Sequence, residues 1–208
     1  MSRRVDPASG PPPEGPVLKS LVWRDSQAGY GRVSRILHWV SAGLLLASFA
    51  LAWSWDLPGR GPLQASMVNW HRTVGLTILA LTLARVAWRM SGRRPVWPLP
   101  AWARILSRSV QILVVSLLLA APLLGWAYSN AGGLDVTVAG WPLPALLPRD
   151  QYLAELSVAA HEWSANVLLV LVALHAAGAI RHMMRPGDPL GRAMGSPFRT
   201  GRPDPGLS

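Results

Sequence analysis

The amino-acid sequence predicts an all-α protein, a four-helix transmembrane bundle whose N- and C-termini both lie in the cytoplasm. Half of the 208 residues are apolar and only 14% are charged. Soluble domains carry about a quarter charged residues, so this chain has too few to cover a water-facing surface. The apolar residues are concentrated in four stretches, residues 36–55, 68–88, 110–128 and 156–180. Each stretch has the roughly 17–25 residues that a helix needs to cross a membrane.

The basic residues indicate how these helices are oriented. If the N-terminus is cytoplasmic, six Lys and Arg before residue 36, six between residues 85 and 108, and five after residue 180 fall on the inner side. Only three of the 20 basic residues then fall outside, namely Arg60, Arg72 and Arg149. This is the positive-inside pattern. A nucleic-acid binder would collect its charges in a stripe, so membrane lipid is the expected partner and nucleic acid is excluded.

The remaining segments are short and rich in Pro and Gly. Residues 1–30 predict a disordered Pro-rich tail and residues 186–208 a flexible C-terminal tail, which leaves 31–185 as the transmembrane domain. The first apolar stretch begins too late for a signal peptide and is long enough to span, so we expect it to be retained. The apolar loop at residues 130–151 is expected to lie on the outer membrane surface or to cap the bundle.

Four of the five histidines fall inside the predicted helices, where ionisable side chains are costly and usually functional. His161 and His175 are 14 residues apart, which is about 21 Å along helix four, and they point to nearly the same side. His38 lies near the inner start of helix one, and His71 lies about 22 Å further out on helix two. The matching depths predict two pairs, His38 with His175 and His71 with His161. For any single histidine, a packing or hydrogen-bonding role is the alternative.

Two facing imidazoles in an apolar bundle are suited to bind a haem iron from both sides. We therefore predict two haem b groups with these four histidines as iron ligands. Because the chain has no Cys, covalent attachment is excluded. Zinc prefers about four ligands on one ion and di-iron bundles need several carboxylates, and two separate pairs of histidines provide neither.

Further candidates lie at the rims of the bundle. His182, seven residues beyond His175, competes with it as the inner ligand, but it would lie at or beyond the membrane boundary. Several arginines are placed either to pair with haem propionates or to serve as ordinary interface charges: Arg35, Arg181 and Arg185 on the inner side, and Arg72 and Arg149 on the outer side.

At these residues the chain resembles the prokaryotic cytochrome b561 family of four-helix, di-haem membrane proteins. The likeness runs from about residue 30 to residue 194, and its pieces occur in order: Arg35, His38 and Trp39; Trp70-His71-Arg72; Pro122 with Gly125-Trp126; His161-Glu162-Trp163; and Leu174-His175. The family's haem ligands correspond to His38, His71, His161 and His175. Many members carry a His near the inner start of helix three, where this chain has Arg108 and Gln111. If that His handles quinone protons in relatives, this departure weakens the expectation of a quinone site.

The resemblance implies a respiratory electron carrier of the bacterial inner membrane, an oxidoreductase that moves electrons between an external small molecule, superoxide among the candidates, and the quinone pool. An anchor subunit of a larger dehydrogenase or hydrogenase, with a redox partner protein, is the first alternative. A haem-free four-helix membrane protein or transporter is the second. Transporters usually show inverted repeats and broken helices, and the sequence has neither.

Overall fold

The computed structural model describes residues 23–27, 29–54, 61–92, 95, 99–138 and 140–185. Four helices dominate these residues: α1 (Arg32–Trp53), α2 (Pro62–Met90), α3 (Ala101–Ala131) and α4 (Gln151–Met183). A small antiparallel hairpin, β1 (Thr137–Val138) and β2 (Trp141–Pro142), precedes α4. All four helices are long and apolar enough to cross a membrane, which confirms the predicted four-helix transmembrane bundle. Of the predicted N-terminal tail (residues 1–30), residues 1–22 and 28 lie outside the described residues, as does the whole C-terminal tail (186–208).

Local sequence explains where the helices begin. Pro62 occupies the first turn of α2, where its missing N–H leaves no hydrogen bond unmade. Asp150 caps α4, because its side-chain oxygen accepts a hydrogen bond from the Leu153 N–H at 2.9 Å. Pro122 lies inside α3 and removes one backbone donor there, an interruption that transmembrane helices tolerate when neighbouring groups compensate.

The helices pack in chain order, α1 with α2, α2 with α3, and most extensively α3 with α4. Among the described residues, neither α1 nor α2 packs closely along the backbone of α4. We call the end of the bundle with the start of α1 and the end of α4 the terminal face. The opposite end, which carries residues 132–150, is called the hairpin face. We call the side on which the backbone of α4 is spaced more widely from the α1–α2 pair the open side; side chains fill it at mid-bundle.

An aliphatic layer fills the middle of the bundle. Ile78 of α2, Leu118 of α3 and Leu168 of α4 are all buried and form one cluster, which Leu44 and Leu45 of α1 contact. Leu168 lies seven residues from both His161 and His175, so the layer stands about 10 Å along α4 from either histidine. Buried aliphatic side chains therefore separate the two ends of the bundle.

The outward surface of the bundle is apolar. Large side chains on all four helices are exposed, for example Leu46, Leu83, Ile112 and Val170. Exposed apolar surface of this extent is rare on soluble monomers. The protein is therefore a membrane protein that contacts lipid along its helices.

A short segment before α1 folds onto the terminal face. The carboxylate of Asp25 accepts hydrogen bonds from the Gly31 N–H at 2.8 Å and from the Ser34 hydroxyl at 2.7 Å. The guanidinium of Arg24 lies 5.7 Å from the ring centre of Trp88 on α2, within cation–π range. Residues 23–27 and 29–30, the described part of the predicted tail, thus tie the start of α1 to α2.

The connection between α3 and α4 is an ordered cap on the hairpin face. Asn130 is buried, and its side chain donates to the Leu134 carbonyl at 3.2 Å and accepts from the Leu146 N–H at 3.0 Å. The Asp150 N–H donates to the Ala131 carbonyl at 3.1 Å, which joins the two helix ends. Trp141 at the hairpin is 78% exposed, a position suited to the membrane interface.

Candidate haem sites

The structure brings the four helical histidines together as two separate pairs. The ring centres of His38 and His175 are 6.2 Å apart and the ring planes meet at 78°. The ring centres of His71 and His161 are 6.1 Å apart with an interplanar angle of 82°. Both pairs cross the open side between α4 and the α1–α2 pair, one near each face of the bundle. These are the partners that the depths along the helices predict.

In the hairpin-face pair, backbone carbonyls fix both rings. The Nδ1 of His71 lies 3.0 Å from the carbonyl oxygen of Ser48 and 3.3 Å from the Ser48 hydroxyl. The Nδ1 of His161 lies 2.8 Å from the carbonyl oxygen of Ala121. A carbonyl only accepts, so both Nδ1 atoms carry the proton. Each Nε2 is then unprotonated and able to bind a metal ion, an arrangement in which metal-ligating histidines are usually held.

The terminal-face pair has a different neighbour. The Nδ1 of His38 lies 3.3 Å from a guanidinium nitrogen of Arg85 on α2. A guanidinium has five donors and no acceptor. A proton on the His38 Nδ1 would therefore find no hydrogen-bond acceptor at this contact. His175, on the other side of the pair, is exposed on the open side of the bundle. The two pairs share one ring separation but differ in what supports the rings.

The separation of the rings fits one metal ion between each pair. An imidazole nitrogen binds zinc, a comparable first-row ion, at about 2.0–2.1 Å, and with about 1.1 Å from nitrogen to ring centre, two opposed rings lie roughly 6.3 Å apart. Both observed separations are close to this value. Among the described residues, no group of three or more His, Cys, Asp or Glu side chains could hold a metal ion. The donor set is thus two imidazoles per site, which suits an iron whose other ligands come from a porphyrin.

A buried donor near the hairpin-face pair also fits a bound group. The indole N–H of Trp126 is buried and has no hydrogen-bond partner within the described part of the chain. Trp126 follows Gly125, which lies against the His161 ring. Leaving a buried donor unsatisfied costs about 1–3 kcal/mol. An acceptor on a bound cofactor would remove this cost.

The rim residues predicted as haem partners are more scattered. Arg35 is half-buried on α1, three residues before His38. Arg72 is half-buried beside His71, and its guanidinium reaches the Asn69 side-chain oxygen at 3.5 Å. Arg181 is exposed in the last turn of α4. His182 is half-buried in the same turn, whereas the ring that faces His38 is that of His175.

The sequence did not identify Gly125 and Arg85 as residues of the site. A Cβ on Gly125 would stand 3.2 Å from Nδ1 and 3.3 Å from Cε1 of His161, so only glycine lets the ring lie against α3 without a shift. Arg85 carried a signal that could have been used, since it is an arginine inside an apolar stretch. Counting four residues back from Arg89 at the end of helix two would have placed Arg85 at the depth of His38.

The comparisons with known proteins agree with this geometry. A family model described as prokaryotic cytochrome b561 matches residues 29–197. The chain belongs to the prokaryotic cytochrome b561 family. It is also similar to cytochrome b561 homolog 2 of Escherichia coli (strain K12), with 30% identity over 172 residues, 80% of this chain and 91% of that protein. With cytochrome b561 homolog 1 of the same organism the identity is 26% over 159 residues, 74% of this chain and 89% of that protein.

Membership confirms the resemblance on which the functional expectations rest. Proteins of the cytochrome b561 family bind haem b, and membership implies transmembrane electron transfer. One position departs from the pattern expected of relatives, the inner start of the third helix. Here Gln111 accepts a hydrogen bond from Arg89 at 3.0 Å, so an amide–guanidinium contact joins α2 and α3.

Proposed function

We propose that this cytochrome b561 transfers electrons across the bacterial inner membrane through two haem b groups. His38 and His175 would hold one, and His71 and His161 the other. The facing of both ring pairs at nearly equal separations, 6.2 and 6.1 Å, carries the proposal. A bound haem supplies an iron that takes up and releases one electron at a time.

The residues of the chain would direct this chemistry in two ways. With two histidines of the chain holding each haem, the iron would have no free ligand position for oxygen, which would favour electron transfer over oxygen binding. The aliphatic layer of Ile78, Leu118 and Leu168 keeps water out of the space between the two sites. Arg35, Arg72 and Arg181 remain the candidates for binding the haem propionates.

The redox partners follow from the membrane setting and the family. We infer that both termini are cytoplasmic, since 17 of the 20 basic residues then lie inside. An external small molecule, with superoxide as the candidate, would exchange electrons at the hairpin face. Membrane quinone would be the partner of the second haem. Quinone is apolar and reaches the protein through the lipid.

The ligand assignment is tested by counting haems in single variants of the purified full chain. We expect two haems per chain, a reduced-minus-oxidised spectrum of b type, and one haem in each of the four His→Ala variants. His71→Ala and His161→Ala should lose the same spectral component, because their rings face each other. His38→Ala and His175→Ala should lose the other component.

His182→Ala is the matched control, since it removes an imidazole from the same helix without touching either facing pair. It should keep both haems. If His182→Ala instead mimics His38→Ala while His175→Ala keeps both haems, the terminal-face assignment is wrong. A wild-type chain that purifies folded without haem would overturn the proposed function altogether.

The choice of partners is tested separately, with haem-loaded protein in lipid vesicles. Superoxide generated outside should reduce a quinone in the membrane, and His71→Ala should abolish this activity. A protein that retains two haems but passes no electrons between these partners would instead indicate an anchor subunit, which needs a partner protein to deliver electrons.

A further inference from the structure

The groups that contact the Nδ1 atoms differ between the two histidine pairs. This difference affects the reduction potentials of the haems that the pairs would hold. At the hairpin face, both Nδ1–H groups meet backbone carbonyls, at 3.0 and 2.8 Å. Such hydrogen bonds raise the basicity of a ligating imidazole. A more basic ligand donates more electron density and stabilises the oxidised iron, so the reduction potential falls.

At the terminal face a cation contacts the Nδ1 of His38 directly, whereas the arginine beside His71 at the hairpin face, Arg72, reaches the Asn69 side chain instead. The Arg85 guanidinium lies 3.3 Å from the His38 Nδ1 and offers it no acceptor. Its positive charge opposes the accumulation of positive charge on His38 and on an iron that His38 binds. The missing acceptor and the positive charge both disfavour the oxidised iron and favour the reduced one.

No Asp or Glu of the described residues lies within 4.0 Å of the Arg85 guanidinium as an ion pair. The carboxylate of Asp25 attracts Arg85 from a greater distance, and its own hydrogen bonds go to the Gly31 N–H and the Ser34 hydroxyl. Arg85 is also half-buried between helices, where solvent screens a charge less than at the surface. The field of Arg85 therefore acts on His38 over a short and poorly screened distance.

We propose that Arg85, acting through His38, raises the reduction potential of the terminal-face haem above that of the hairpin-face haem. The proposal rests on the haem ligation proposed above. Arg85 binds neither iron nor substrate in this account. It makes electron transfer from the hairpin-face haem to the terminal-face haem energetically favourable. The two haems would then differ in reduction potential instead of being equivalent.

The test is a potentiometric titration of the purified haem-loaded wild-type chain and of Arg85→Gln, Arg85→Lys and Arg89→Gln, each first checked for two haems. His175→Ala, which should bind one haem, identifies the step that belongs to the terminal face. The wild type should titrate in two steps, and His175→Ala should lack the step at higher potential. Arg85→Gln should lower that step by at least the equivalent of a tenfold change in the reduction equilibrium, which is 59 mV for a one-electron couple. Arg85→Lys keeps the charge and should retain the larger part of the separation.

Arg89→Gln is the matched control, because it removes the same charge one helical turn away, where the side chain bonds Gln111 at 3.0 Å instead of a histidine. It should change the step by less than about threefold in the equilibrium constant, 28 mV on the same scale. If Arg85→Gln binds two haems and leaves the higher step in place or raises it, the proposal is wrong.

The failure of this proposal is distinguishable from failure of the haem assignment. A wild-type chain without two haems, or a His175→Ala variant that keeps both, contradicts the ligation. Two haems that titrate together in the wild type contradict only the role of Arg85. Should Arg85→Gln lose a haem, Arg85→Lys decides, since an Arg85→Lys protein whose two haems titrate together overturns the proposal.

Discussion

Backbone carbonyls of neighbouring helices position the two histidines of the hairpin-face pair. His71 on α2 is tied to the Ser48 carbonyl of α1, and His161 on α4 is tied to the Ala121 carbonyl of α3. Each ring of this pair is therefore fixed by a helix other than its own. A side-chain substitution cannot remove these acceptors, but it can push a ring away from them.

Gly125 offers this test. In Gly125→Ala the new methyl group stands 3.2–3.3 Å from the His161 ring, so the ring must move and its hydrogen bond to Ala121 weakens. Loss of such an outer-shell contact typically costs about 10–100-fold in metal affinity. We expect about tenfold weaker retention of the hairpin-face haem, measured as haem transfer to an acceptor protein.

Gly43→Ala provides the comparison, since a Cβ at Gly43 meets nothing within 4 Å. This variant also replaces a helical glycine with alanine, so it should retain both haems as the wild type does. Equal haem retention in Gly125→Ala and Gly43→Ala would show that the His161 ring does not need its present place against α3.

At this scale the sequence predicts which rings meet but not what supports them. Depth along a helix follows from residue number, and it is enough to pair His38 with His175. The Nδ1 partners depend on how two helices are rotated and how closely they approach, which residue spacing does not contain. Arg85 is intermediate, because its depth can be counted but its contact with His38 is tertiary.

Among the secondary-structure elements, the cap between α3 and α4 depends most on a single side chain. Asn130 satisfies the Leu134 carbonyl and the Leu146 N–H from a buried position. In Asn130→Ala both backbone groups lose their partner, at about 1–3 kcal/mol for each group left unsatisfied. We expect a lower midpoint of thermal unfolding in detergent and faster proteolysis within residues 132–150.

Asn166→Ala is a suitable control, because Asn166 lies on the same bundle with an exposed side chain. It should leave both the unfolding midpoint and the proteolysis pattern unchanged. Proteolysis of the cap at the wild-type rate in Asn130→Ala would mean that the hairpin is held by its backbone bonds alone, among them Leu143 N–H to the Val136 carbonyl at 2.8 Å.

The helices exceed the apolar stretches that predict them. The third stretch covers residues 110–128, whereas α3 runs over Ala101–Ala131. Hydropathy marks the part of a helix inside the hydrocarbon. Backbone hydrogen bonding continues the helix beyond it, where Arg104 and Arg108 are exposed. The fourth helix likewise begins at the Asp150 cap, six residues before its predicted stretch. Capping residues give better boundaries than hydropathy here.

For the whole molecule, orientation in the membrane is the first quantity to measure. The native chain has no Cys, so a single introduced Cys reports its own accessibility. Thr137 on the hairpin face and Ser91 after α2 are both exposed. In intact spheroplasts a membrane-impermeant maleimide should label Thr137→Cys but not Ser91→Cys, and permeabilisation should make Ser91→Cys reactive. The reverse pattern would place both termini outside.

The arrangement of the whole bundle was predictable in its outline, because four apolar stretches of spanning length admit few alternatives. The open side was not. Sequence gives no sign that α4 packs along α3 while α1 and α2 stay away from its backbone. That separation depends on the sizes of the side chains that meet, and it is what allows the ring pairs to stand 6 Å apart.

The aliphatic layer at mid-bundle has an electrical consequence. The buried cluster of Ile78, Leu118 and Leu168, at 3–7% exposure, offers no polar side chain of its own that could carry a proton beside an electron. Each transfer between the two proposed haem sites would then move one uncompensated charge about 21 Å through a hydrocarbon core of about 30 Å. At about 2.3 kcal/mol per charge for each 100 mV across the full membrane, each such transfer would change in free energy by about 1.6 kcal/mol for each 100 mV of membrane voltage. If the two proposed haems pass electrons inward, the protein would be electrogenic, and the membrane voltage of an energised cell would slow that flow.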